Sequence, residues 1–175
     1  MACSLSTGRK VPCKSAVGGI KTIFFADYGT LGASTIVGGE ITALAGTPDW
    51  FQFDVKGASS LETAINSSRE NGTTFYESTL TMALTFQDKA TQEELKLIAH
   101  ARPHVAIEDY NGNYFIVGLE HGAEVTGCSI TSGAAMGDTS GYNLTIVAQE
   151  TAPPYFVTDS AIIGDISGVQ IDPTA

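Results

Sequence analysis

Residues 78–87 read STLTMALTFQ, and the alternation in this stretch decides the fold class. Leu80, Met82, Leu84 and Phe86 fall on one side of an extended chain, and Thr79, Thr81, Ala83 and Thr85 fall on the other. A period of two is the mark of a half-buried strand, and the threonine face suits a wetted sheet surface. Tyr142–Ala148 repeats the pattern, with Tyr142, Leu144, Ile146 and Ala148 inward and Asn143 and Thr145 outward. Phe51, Phe53 and Val55 alternate with Gln52 and Asp54, and Ile20–Phe25 and Ile41–Leu44 add weaker strands. Composition agrees. Among 175 residues there are 20 Thr, 14 Ser and 19 Gly, and only 16% are charged, so the polar surface is built mainly from uncharged groups. Thr is stiff at χ1 and favours strands, while Gly and Ser serve turns.

Outward from this core pattern, Asn111-Gly112 sits between His104–Tyr110 and Asn113–Leu119 and predicts a two-residue type I′ hairpin. The second arm carries Tyr114, Phe115, Ile116, Val117 and Leu119, apolar on both faces, so it is either central in a stack or buried against another chain. One helix is expected at about 91–102. Thr91 and Glu94 form a capping box, Leu95, Ile98 and Ala99 form the apolar stripe, and Pro103 ends the run. Residues 57–77 are small and polar, and they read as a long loop between two strands. The expected architecture is a mainly β, antiparallel sandwich or barrel over 19–151. A basic arm (1–18) precedes it and an acidic tail (152–175) follows.

Net charge is −10, but residues 1–21 carry +4 and the remainder −14. So acidic a body repels phosphate, which argues against a domain that grips nucleic acid. No stretch approaches the roughly 20 apolar residues of a membrane helix, and the first residues lack the apolar segment of a secretory signal, so no membrane anchor is expected. Cys3, Cys13 and Cys128 match no zinc spacing. They read as reduced thiols, with a Cys3–Cys13 bridge left open.

The residues of catalysis are not assembled in this sequence. Nucleophile-elbow, HExxH and phosphate-loop motifs are missing. His100 and His104 are four apart, but Pro103 intervenes, and all three histidines read as solvated. Glu93-Glu94 and Glu108-Asp109 are sequence neighbours rather than carboxylates converging across a cleft. Asp138-Thr139-Ser140 resembles an aspartic-protease triplet in letters only. The expectation is a non-enzyme with no cofactor and no metal.

The stretch from Trp50 to Val157 resembles the tail tube proteins of tailed bacteriophages in the order of its elements. These are the long polar loop, the run TLTMALTFQDKATQEELKLIAHA (79–101), the hairpin VAIEDYNGNYFIVGLEHGAEVT (105–126) and the loop-to-strand run SGAAMGDTSGYNLTIVAQETAPPYFV (132–157). The resemblance implies a virion structural protein assembled in the bacterial host cytoplasm. Six copies would form a ring, and rings would stack into a tube through which DNA passes without specific binding. Sheath, baseplate or tape-measure proteins would be its other partners. Ser59, Ser60, Glu62, Asn66, Arg69 and Glu70 of the long loop, with Arg9, Lys10 and Lys14 of the arm, then become candidates for contact between subunits. Asp54, Glu108 and Asp109 become candidates for the lumen wall. Rival readings are another phage component (a head–tail connector, tail terminator or capsid decoration protein) and, from a different class, a carbohydrate-binding β-sandwich. The single Trp50 disfavours the last.

Overall fold

The computed structural model describes residues 7–11, 13–55 and 58–163. Cys3 and the tail beyond 163 lie outside the described residues. The chain is mainly β, with two sheets and one α-helix. In order it forms β1 (Ile20–Ala26), β2 (Ser34–Val37), β3 (Glu40–Leu44), β4 (Phe51–Asp54), β5 (Ser60–Ser68), β6 (Thr73–Thr85), α1 (Lys89–His100), β7 (His104–Asp109), β8 (Tyr114–Val117), β9 (Glu124–Thr131), β10 (Gly141–Glu150) and β11 (Tyr155–Val157), followed by a 3₁₀ turn at Ser160–Ile162. A seven-stranded sheet runs β2-β3-β11-β8-β7-β1-β4, and a four-stranded sheet runs β5-β6-β10-β9. Every pairing is antiparallel except β11 with β3.

The alternation of residues 78–87 places Leu80 and Met82 in the core as expected, across from Ile146 and Leu144 on β10. With Tyr142 and Ala148 they meet Ile23, Phe25, Val105, Ile107 and Val117 of the larger sheet, and Leu95 of α1 closes one end. Phe86 departs from the pattern. It is half exposed at φ 74, its amide donates to the Ser140 carbonyl, and it turns the chain out of the sheet toward the helix.

The larger sheet is apolar on its other face too. Phe24, Ala26, Ala106, Ile116 and Val157 there pack on Leu31, Ile41, Trp50 and Ile163. The two apolar faces of β8 are therefore covered from within the chain, Val117 by one cluster and Ile116 by the other. Of the two readings of this strand, the central place in the stack is the one the fold takes.

Four local expectations are corrected. Residues 57–77 are no long loop, because β5 and β6 pair in register from Ser60↔Thr81 to Ser68↔Thr73 and leave only 69–72 as a turn. The helix starts earlier than the capping box implied. Asp88 is the N-cap, and its carboxylate accepts the Thr91 amide at 2.9 Å, which places Thr91 inside the first turn. The Asn-Gly hairpin has a three-residue loop, with Gly112 alone at positive φ (80°) and a closing bond from the Asp109 amide to the Asn113 carbonyl. The segment after 152 is not a separate tail through its first residues, since β11 lies inside the larger sheet between β8 and β3.

Candidate functional site

The four-stranded sheet has one face in the core and one turned outward, and among the described residues both of its outer strands, β5 and β9, are free along one edge. Register across the strands fixes the outward face. Its rows are Ser60, Thr81, Thr145 and Gly127; Glu62, Thr79, Val147 and Glu124; and Ala83, Asn143 and Ser129. Small hydroxyl and amide groups dominate it. The four strands contain no Lys or Arg but do contain Glu62, Glu77, Glu124 and Glu150. By register Glu150 lies on the opposite face with Ala148, and Glu124 lies 3.8 Å from Arg102, while Glu62 and Glu77 make the outward surface wettable and anionic.

β6 outruns its partner, because the last β10 pairing is Glu150↔Tyr76 while β6 begins at Thr73. The β5–β6 hairpin therefore projects beyond the body of the sheet. It carries exposed Ile65 and Phe75 near its tip, and exposed Arg69 and Glu70 in the turn. Of the contact candidates on this element, Ser60 and Glu62 are exposed and lie on the outward face with half-exposed Asn66. Ser59 is different: it is buried, and its hydroxyl accepts the Ala83 amide at 3.2 Å, so it stitches β5 to β6 rather than facing a neighbour. Arg9, Lys10 and Lys14 are exposed, and none forms an ion pair among the described residues. Among its described residues the arm is hydrogen-bonded to the body where it meets it. Asn111 accepts the Val17 amide (2.9 Å) and donates to the Val17 carbonyl (2.6 Å), acting as a surrogate strand residue.

The lumen candidates lie on the other sheet. Asp54 and Glu108 sit either side of buried Thr22 in the β4-β1-β7 register. Asp54 is exposed and accepts from Gln52. The Glu108 side chain is only 11% exposed and accepts from the Lys21 ammonium at 2.6 Å, which holds Lys21 above its ordinary pKa. Asp109 is occupied by its own turn. One carboxylate oxygen takes the amides of Asn111 and Asn113, and the other takes both side-chain amides. Partial burial pushes that carboxyl up, but the Asn113 and Asn111 hydrogen bonds prevail and keep it below the usual carboxylate range. Among the three, Asp54 alone offers an open carboxylate.

Asp138 likewise serves a turn, accepting the amides of Ala134 and Ala135 at 2.8 Å, which lower its pKa. His100 is exposed at the helix end, whereas His104 is buried, contrary to the solvated reading. The sheet edges are what sequence reasoning missed. β5 and β9 carry mostly small polar residues with weak alternation, and the signal that could have found the β5–β6 hairpin is the Asn71-Gly72 pair in its turn, with Gly72 at positive φ (63°). Comparison with protein-family models, curated proteins and solved structures finds no match to this chain.

Proposed function

We propose that this chain is the repeating subunit of a bacteriophage tail tube, six copies closing each ring and rings stacking into a channel for DNA. The four-stranded sheet carries the reading, with two bare edges flanking an outward face of hydroxyls and carboxylates. A bare strand edge is a row of unpaired amides and carbonyls ready to pair with another chain, and closing sheets into a barrel removes such edges altogether. Joining β9 of one copy to β5 of the next would turn the outward face into the wall of a bore. The wall residues are then Glu62, Thr79, Thr81 and Thr145 rather than Asp54, Glu108 and Asp109. An anionic wall without lysine or arginine lets phosphates slide, because attraction would hold DNA in transit. The projecting β5–β6 hairpin and the basic arm supply contacts to the adjacent copy or ring. A head-to-tail contact of that kind propagates when it does not close.

Negative-stain images of the purified protein should show rings or tubes. A strictly monomeric particle across all concentrations would refute the proposal. Replacing Ser67–Thr74 by Asn-Gly keeps the Asn66↔Phe75 pair on a two-residue turn and removes the projecting tip. This variant should retain its circular dichroism spectrum and melting transition yet form no tubes.

A further inference from the structure

Glu120 and His121 lie in the connection that takes the chain from the larger sheet (β8) to the smaller (β9), and Glu150 ends β10 just before the chain crosses back to β11. One ligand atom from each, two carboxylate oxygens and a ring nitrogen, lie within 4.8 Å of one another. We propose that these three residues bind a divalent first-row transition ion, Zn²⁺ foremost, with its remaining positions open to water.

The donor set sets the class. An imidazole beside two carboxylates suits zinc and its neighbours, whereas calcium and magnesium prefer oxygen alone. Bonds of about 2.0–2.2 Å place the donors of a tetrahedral site roughly 3.4 Å apart, so modest side-chain rotation completes the grip. Charge points the same way. Two carboxylates converge here, held by the Thr151 hydroxyl on Glu120 Oε2 (3.4 Å) and by backbone amides on Glu150, and among the described residues neither forms an ion pair with Lys or Arg. Arg102 donates to the His121 carbonyl, lies 4.8 Å over the Tyr28 ring and pairs with Glu124 at 3.8 Å, not with Glu120 or Glu150. A small cavity lined by Ser78, Thr151, Pro154 and Tyr155 opens against Glu120 and Glu150, and His121 is not part of its lining. Glu150 is oriented by the Glu120 and His121 amides on its Oε1. Bound there, the ion would fasten two sheet crossings together. All three donors come from one chain, so the site does not depend on assembly.

The test is calorimetric titration of the chelator-treated full chain with ZnCl₂. One saturable site per chain is expected, weakened about tenfold or more by His121→Ala and by Glu150→Gln, and unchanged by His100→Ala. Glu150→Gln keeps an acceptor for both amides, and circular dichroism verifies that each variant is folded. The absence of saturable binding, binding that survives His121→Ala, or tighter binding of Ca²⁺ or Mg²⁺ than of Zn²⁺ would each overturn the proposal.

Discussion

His104 enters β7 with both ring nitrogens committed. One pairs with the Gly118 carbonyl at 2.6 Å, and the other accepts the Gly29 amide at 2.9 Å. An acceptor nitrogen requires the neutral ring, and protonation would set two donors against each other. Burial pushes this histidine below its ordinary pKa, and the Gly118 bond and the Glu150 carboxylate recover only part of the shift. Because the folded value is the lower one, the unfolded chain takes up the proton first. The contribution to stability is therefore full above about pH 6.5 and drains away as pH falls from there through the folded value. Melting temperature should decline on acidification across that window, while His104→Gln, which does not titrate, should melt lower but with a flatter profile. A loss of about 1–3 kcal/mol is expected for that variant at pH 7. An identical slope in both proteins would remove His104 from the account. Asp109 acts later, since a depressed carboxyl gives up its contribution only as pH falls below about 4. Neither role was legible in the sequence, where a histidine before a strand and an acid before Asn-Gly look the same whether buried, bonded or bare.

At the scale of elements, legibility followed burial. β6 and β10 each have one face in the core, so their apolar residues alternate, and their inward sets came out as read except at Phe86. β5 and β9 flank the sheet with one edge and one face in solvent, so selection for apolar alternation is weak and their letters resemble a loop. The helix was visible through Leu95 and Pro103, but two capping solutions competed for its start, and the earlier one won. Asp88 holds the Thr91 amide while its carbonyl receives the Tyr142 hydroxyl at 3.0 Å, tying the cap to β10. Asp88→Ala should cost about 1 kcal/mol, readable as a lower urea midpoint with unchanged slope. Thr91→Ala, at a position without the capping role, should cost less. The reverse order would restore the capping box.

The whole molecule is held by two apolar clusters on opposite faces of the larger sheet, and the second draws on distant parts of the chain. Ile41 and Trp50 from the N-terminal half meet Val157 and Ile163 near the end of the described chain. Truncation after residue 152 should therefore do more than shorten a tail. It removes β11, the strand that joins β3 to β8, and with it the attachment of the β2–β3 hairpin to the rest of the sheet. The truncated protein should lose most of its melting transition and bind a dye for exposed apolar surface. A sharp transition near that of the full chain would show β11 to be ornamental. The sandwich class was readable from alternation alone, but this closure was not, because three residues following two prolines carry no signal of a parallel pairing made more than a hundred positions away. The consequence reaches back to the ribosome. A nascent chain carries β2 and β3 through more than a hundred further residues of synthesis, yet has nowhere to lay them until residue 157 emerges, so the larger sheet cannot close before then.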